Sequence, residues 1–278
     1  MKKLQALLAI AMGGALLNVG LPASAQPAQP GFATVIRTKG DVTYSLDGGV
    51  HKYPLIPGKF LEAGATIYTS ENGEVDVILG KAIDLPQAKW VPDRVSLAVD
   101  APVRGLVTYR PSAEQNVVRM QPNTTLVIDK LTTTSSGADT VSDTELDLKK
   151  GSIFASVKKL SPAAQYLVKT PTGIAGVRGT QFSITLNEDG TIKSVMVYRT
   201  LNDDGLVLAV TSAGGTTQTF VLKDGEMWAP GNANPIPITP EIRRLLGEVF
   251  PILRTPFFQV VSYDYDRTEF RESSDFGF

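Results

Sequence analysis

The segment from Tyr166 to Leu186, YLVKTPTGIAGVRGTQFSITL, joins two alternating apolar runs through a glycine-rich centre. Its first part places Tyr166, Val168 and Thr170 at every second position, and the last part alternates again from Phe182 onward. Alternation with a period of two predicts two half-buried strands.

Pro171 and three glycines predict a tight return between these strands. Proline fixes its own φ and favours an extended residue before it, while Gly173, Gly176 and Gly179 allow positive φ or close backbone approach. Arg178 stands among these small residues, where its guanidinium can donate to several carbonyl oxygens. We expect this side chain to be drawn inward and to stabilise the fold, not to contact a ligand.

The glycine spacing does not fit the common phosphate-binding loops. A Walker loop requires Gly, four residues and then Gly-Lys-Ser/Thr, and counting from Gly173 places Arg178 where the second glycine should be. The dinucleotide fingerprint opens a helix, whereas here a β-branched alternating run follows. A structural turn is therefore favoured, and a ligand-binding loop stays open as the alternative.

The string VKTPTGIAGVRGTQFSI resembles the signature of the FecR domain family, whose core reads approximately V-x-T-P-x-(G/A)-x-x-x-V-R-G-T-x-F-x-V. Flanking segments also resemble the family: Pro57 to Leu79, MQPNTTLVID, Leu148 to Val157 and LKDGEMW. The resemblance covers about Ala33 to Ala229. The FecR motif, with a structural or binding role, comprises Thr170, Pro171, Gly173, Val177, Arg178, Gly179, Thr180 and Phe182.

This resemblance implies an all-β, solenoid-like fold in the cell envelope. In regulatory members, the domain is the extracytoplasmic half of an anti-sigma regulator and receives a signal from an outer-membrane TonB-dependent transporter. Those members carry a cytoplasmic sigma-binding segment and a membrane span before the domain, where we expect a signal peptide here. What carries over is the capacity for protein binding or scaffolding.

Short apolar runs between turn signals predict an all-β fold, solenoid-like or sandwich-like, over residues 33–229. Asp-Gly and Asn-Gly pairs favour the tight hairpins between them. The runs are TVIR, VTYSL, VDVIL, TLVID, SIFASV, SVMVY, LVLAV and TQTFVL.

Residues 81–116 interrupt this pattern with Trp90 and several prolines, and we interpret them as an inserted loop or hairpin. The small polar run from Thr132 to Asp143 is interpreted as an exposed mobile loop.

Residues 230–278 are interpreted as a linker, a short helix and a tail that begins like a strand. Thr239 is the expected N-cap, Pro240 suits the first helical position, and Pro251 is expected to end the helix. Its apolar residues recur at helical spacing: Ile242, Leu245, Leu246 and Val249. The helix is expected either to cover one end of the β domain or to dock into a partner.

The first residues have the features of a signal peptide. Lys2 and Lys3 precede an apolar run, and Ala23-Ser24-Ala25 offers small residues for cleavage. We expect residues 1–25 to be removed, residues 26–32 to form a flexible lead, and the protein to be periplasmic or extracellular, without stable membrane insertion. Removal of two lysines leaves 25 basic and 28 acidic residues, a net charge of −3 that does not indicate nucleic-acid binding.

Few residues carry recognisable chemistry. The chain has no cysteine, and His51 is its single histidine, so a zinc site and thiol catalysis are not expected. No Gly-x-Ser-x-Gly elbow is present. The acidic clusters at 187–190 and 202–205 lie between apolar runs and predict hairpin turns, not calcium loops. We therefore predict no catalytic, cofactor or metal residues, while a carboxylate pair distant along the chain stays open.

Three functions follow from these observations. The first is a non-enzymatic exported module that binds an envelope protein or a surface polymer. The second is an extracytoplasmic signalling component that works with a separate membrane regulator. The third is a carbohydrate-active enzyme, which only the solenoid-like architecture suggests.

Overall fold

Strands form most of the described chain, as the alternating apolar runs predict. The computed structural model describes residues 28–80, 107–110, 115–136, 139–201, 205–254 and 257–260. The first eleven strands are β1 Gln29–Pro30, β2 Phe32–Lys39, β3 Val42–Ser45, β4 Tyr53–Pro54, β5 Phe60–Leu61, β6 Thr66–Thr69, β7 Glu74–Gly80, β8 Val107–Arg110, β9 Asn116–Met120, β10 Thr125–Ser136 and β11 Asp139–Lys150. The rest are β12 Ser152–Ser156, β13 Gln165–Thr170, β14 Gly173–Val177, β15 Thr180–Leu186, β16 Ile192–Thr200, β17 Leu206–Thr211, β18 Thr217–Leu222, β19 Glu226–Trp228, β20 Ile236–Pro237 and β21 Phe257–Val260, with helix α1 at Pro240–Arg254.

The strands assemble into two large sheets. Sheet A has the order β18-β17-β14-β13-β11-β10-β6-β3-β4, with β1 paired to β10. Sheet B has the order β20-β19-β16-β15-β12-β9-β7-β2-β5, and β8 pairs with β21 separately. Among the described strands, β11 and β13 pair in parallel and the other pairs are antiparallel. The prediction of an all-β fold is confirmed.

The main hydrophobic core lies between the two sheets. Alternate residues of sheet B, such as Val35 and Val77, share one cluster with Ile128, Leu146 and Val168 of sheet A. The chain enters the two sheets in turn: β13 and β14 in sheet A, β15 and β16 in sheet B, then β17 and β18 in sheet A. The two packed sheets agree with the sandwich-like alternative of the expected all-β fold.

Helix α1 covers the outer face of sheet B. Leu246, Phe250 and Leu253 form a second cluster against this face. The Phe250 ring stacks on Tyr198, with centroids 5.3 Å apart, and meets the edge of Phe154 at 6.0 Å. The helix therefore buries its apolar side within the same chain. This agrees with the expectation that it covers the β domain.

The beginning of α1 agrees with the sequence, but its end does not. The Thr239 hydroxyl accepts a hydrogen bond from the Ile242 amide at 3.4 Å, as expected for an N-cap. The expected end at Pro251 is wrong, since the helix continues to Arg254. Proline removes one helical hydrogen bond, but burial of Leu253 at 1% exposure holds the last turn in place.

The expected mobile loop from Thr132 to Asp143 is wrong. Its described residues, 132–136 and 139–143, lie in β10 and β11, which pair along their length with Ser136 opposite Asp139. Threonine and valine are β-branched and favour strands, and the polar composition concealed that preference. Strand β1 pairs with β10 as well, so Gln29–Pro30 within the expected flexible lead is tied to sheet A.

Several predictions fall wholly or partly outside the described residues. The predicted signal peptide at 1–25 lies wholly outside them. Most of the predicted insertion at 81–116 also lies outside, and only β8 and residues 115–116 of it are described. The tail begins as the strand β21, as expected, and residues 261–278 lie outside. Within the described residues, no helix is long and apolar enough to cross a membrane.

A buried ion-pair cluster lies on the outer face of sheet B, where Asp76 on β7 points away from the inter-sheet core. Arg119 Nε and Nη2 donate to its two carboxylate oxygens at 2.7 and 2.8 Å, and Arg37 Nε donates at 2.8 Å. Arg37 also reaches Glu74 at 3.2 Å. Although burial opposes ionisation, the hydrogen bonds and charges of Arg119 and Arg37 hold the pKa of Asp76 below its ordinary value.

We expect Asp76→Asn to lower the free energy of unfolding by about 3 kcal/mol, because it leaves the buried Arg119 without its counter-charge. Because the folded pKa of Asp76 is depressed, its contribution is complete above the unfolded pKa of about 4 and is lost as the pH falls through the lower folded value. Urea unfolding from pH 7 down to pH 3 measures both effects.

Glu74→Gln is the matched control for this cluster. Glu74 is more exposed, at 22% of its side chain, so its loss should cost less than about 1 kcal/mol. Equal unfolding curves for Asp76→Asn and the parent at pH 7 would contradict the assigned role.

Candidate binding surfaces

The first half of the FecR motif forms a hairpin in sheet A. Strand β13 ends at Thr170, whose hydroxyl donates to the Gly173 carbonyl at 3.0 Å, and Pro171-Thr172 make the turn. The sequence predicted one tight return between two strands. This prediction is wrong for Gly173–Val177, which forms the strand β14. A side chain at Gly173 would approach the Ala209 carbonyl oxygen to 2.6 Å, so glycine lets β14 lie close to β17.

The second half of the motif carries the chain from sheet A to sheet B. Gly179 makes the crossing with φ of 67°, a left-handed conformation that favours glycine. Val177 before it is 5% exposed, and Thr180 and Phe182 after it are fully buried. The motif residues thus follow one path through the core instead of converging on one site.

Arg178 sits half-buried at this crossing. Its Nη2 donates to the Pro162 carbonyl oxygen at 3.1 Å, a carbonyl of an adjacent turn as the sequence led us to expect. The side chain is less enclosed than expected. Its structural role, like that of the other motif residues, stays a prediction.

His51 belongs to a hydrogen-bonded turn with Asp47 and Ser45. Its Nδ1 lies 2.6 Å from one oxygen of Asp47, and the Ser45 hydroxyl donates to the other at 2.6 Å. Hydrogen bonds from the His51 amide and from Ser45 lower the pKa of Asp47. Because the carboxylate stands between the serine and the imidazole, His51 cannot take the proton of Ser45, and the three residues do not form a catalytic triad.

The acidic cluster at 187–190 is a hairpin turn between β15 and β16. Asp189 accepts from the Thr191 hydroxyl at 2.6 Å and from its amide at 2.9 Å, and these two bonds lower the pKa of Asp189. The prediction of a turn is confirmed here, whereas residues 202–204 lie outside the described part. Within the parts that the structure describes, no three His, Cys, Asp or Glu side chains group as metal ligands.

Residues 46–56, which we name the apolar loop, expose large hydrophobic side chains. Leu46 is 63% exposed, Val50 77%, Tyr53 49% and Ile56 64%. In the sequence, this segment is prominent only for its glycine turn and its histidine. Apolar residues within a glycine-rich turn, as in LDGGVHKYPLI, were the available signal.

Several contacts hold the apolar loop in place. The Gly49 amide donates to the Ser45 hydroxyl at 2.8 Å, and Ser45 is itself fully buried. The Tyr53 ring packs on Tyr44 with centroids 5.7 Å apart. The Lys52 ammonium lies 4.0 Å above the Tyr68 ring, within cation–π range. The exposed side chains are therefore displayed from an ordered turn, which lowers the entropic cost of binding.

We expect Arg178→Lys to lower the free energy of unfolding by about 1 kcal/mol, because lysine cannot reproduce the planar set of donors. Arg178→Ala should cost more, since it also loses the packing of the stem. Urea unfolding of the purified chain measures both changes. If both variants unfold like the parent but lose a binding partner, Arg178 is instead a contact residue.

Known structures share limited similarity with this chain. Two crystal structures of a protein described as an anti-sigma factor candidate, from Parabacteroides distasonis ATCC 8503, match at 12% identity with TM-scores of 0.32 and 0.31. Each match covers 49% of this chain and 56% of the other, so the chain spans just over half the length of that protein. At these TM-scores the structures carry no argument about function.

Sequence families give a sharper result. No curated protein matches the chain. The family model described as FecR protein matches residues 108–199, which contain the whole FecR motif. Over these residues, the resemblance read from the motif is confirmed, and the segment 108–199 matches the FecR family.

Proposed function

We propose that the protein is a non-enzymatic, exported module of the cell envelope whose apolar loop binds another envelope protein. One observation carries the proposal: four large apolar side chains within the eleven residues of the apolar loop stand 49% to 77% exposed. Exposed apolar side chains gathered in one place mark interaction sites. A surface polymer is the weaker alternative ligand, because Leu46, Val50 and Ile56 provide no hydrogen-bonding groups for sugars.

Two observations favour binding over catalysis. The single histidine of the chain is paired with Asp47 in a turn, where the carboxylate separates its ring from the Ser45 hydroxyl. The FecR match at 108–199 supports a regulatory or scaffolding role. Reproducible turnover of a glycan by the pure protein, abolished by one carboxylate substitution, would favour the carbohydrate-active enzyme instead.

A signalling component that works with a separate membrane regulator is the second candidate. The FecR match at 108–199 favours it, because the resemblance implies that regulatory members of the family use this domain outside the cytoplasm. Such a component also needs a protein-binding surface, so both candidates assign the same task to the apolar loop. The identity of the captured partner separates them: a membrane regulator supports signalling, and a structural envelope protein supports scaffolding.

Export is the part of the proposal that rests on the N-terminal sequence. We expect the protein recovered from the envelope or medium to begin at Gln26, because signal peptidase reads the small residues at Ala23 and Ala25. Intact-mass spectrometry of the recovered protein measures this. A mass that includes residues 1–25 would contradict cleavage.

We expect the double variant Val50→Asp, Ile56→Asp to recover at least about tenfold less of its partner from an envelope extract, because charges at the centre of an apolar contact oppose its desolvation. Quantitative mass spectrometry of the captured proteins is the measurement. Both residues are exposed, so the fold should be retained, and circular dichroism verifies this.

Leu245→Asp provides the matched control. Leu245 is also apolar and 52% exposed, but it lies on helix α1 beside sheet B. If this control loses the partner equally, or the double variant keeps it, the apolar loop is not the binding surface.

A further inference from the structure

Strands β17 and β18 lie in an uncharged stretch of the chain. Residues 205–222, GLVLAVTSAGGTTQTFVL, contain no Asp, Glu, Lys, Arg or His, although 20% of the whole chain is Asp, Glu, Lys or Arg. The side chains of this hairpin that face outward include Val207 at 42% and Val221 at 46% exposure. An exposed hairpin without a single charge is unusual, because surface strands normally carry charged side chains.

Strand β18 is the free end of sheet A. Its six residues pair with β17 in unbroken register, from Leu206 opposite Leu222 to Thr211 opposite Thr217. No backbone hydrogen bond of a described residue reaches its other side. In an antiparallel pair, alternate residues of the edge strand direct their N–H and C=O groups outward. No described residue pairs with this row of outward-facing backbone donors and acceptors along β18.

The two large sheets have four end strands, and three of them have features that prevent pairing with a further strand. The fourth, β18, has no such feature. Sheet A ends on its other side at β4, and sheet B ends at β20 and β5. Each of these strands has two residues, and Pro54 and Pro237 stand in two of them. Short length and proline prevent further strand pairing. Strand β18 has neither a proline nor a bulge.

We propose that β18 pairs antiparallel with β18 of a second copy of this chain, so that sheet A continues across a two-fold axis. The axis is perpendicular to the sheet, so outward-facing residues of one copy meet outward-facing residues of the other. Two registers place the two-fold axis near the middle of β18. In one, Thr219 lies opposite Thr219 of the second copy, and in the other it lies opposite Val221 of the second copy.

Self-pairing fits the composition of this edge better than pairing with a foreign strand does. A two-fold axis at the middle of the strand brings the central side chains of β18 near their own copies, and a charge there would repel its copy. Because residues 205–222 carry none, repulsion is absent, and the Thr217, Thr219 and Val221 side chains form favourable cross-strand pairs. The apolar loop contains β4, at the opposite end of sheet A, so pairing through β18 leaves the loop exposed in both copies.

Sedimentation velocity of the full mature chain, from low concentration up to about 0.1 mM, tests the proposal. The parent should change from monomer to dimer over this range. Thr219→Lys and Thr219→Glu should each weaken self-association by about tenfold or more, because like charges would face each other. An equimolar mixture of the two variants should restore the dimer.

Ile174→Lys is the matched control. Ile174 is 45% exposed on the same face of sheet A, but it lies on β14, two strands inside the edge. This variant should dimerise like the parent. A monomeric parent, dimers that persist in both Thr219 variants, or dissociation by Ile174→Lys instead would each overturn the proposal. A monomeric parent whose envelope partner is lost on Thr219→Lys would assign the edge to a foreign strand.

Discussion

Packing of sheet A against sheet B is the interaction on which the rest of the structure depends. The chain has no cysteine, so no disulfide can stabilise it, and the apolar core between the sheets must do so. The chain therefore crosses between the two sheets repeatedly, and each crossing requires a tight turn of the backbone. The crossing at Gly179, with Thr180 and Phe182 buried immediately beyond it, explains why the FecR motif combines small residues with a buried aromatic.

Covering the outer face of sheet B imposes a second constraint. Where helix α1 packs, apolar residues such as Phe154 and Phe250 fill the space. The same face carries the buried Asp76, and removing a carboxylate from water is tolerated only if it is paired. Arg119 and Arg37 supply this pairing from the neighbouring strands β9 and β2. The cluster therefore fixes the pairing of three strands as well as satisfying one charge.

The two ends of sheet A differ in their surface chemistry. At the β4 end, the apolar loop exposes side chains from an ordered turn, and at the β18 end an uncharged strand exposes its backbone. The FecR motif lies between them, in β13, β14 and the crossing to β15. A recognisable family motif can thus lie in the core of a fold while the surfaces that we propose for binding lie elsewhere.

Most of the longer strands and the start of helix α1 could be predicted from the sequence, because alternation and capping are local properties. The prediction failed at Thr132–Asp143, at Gly173–Val177 and at Pro251, where pairing with neighbouring strands and burial of Leu253 override local composition. Tertiary structure alone decided that Asp76 meets Arg119, 43 positions away, and that β18 ends its sheet. Tertiary structure also decides the exposure of the apolar loop, because only the packed chain defines which apolar side chains stay in water.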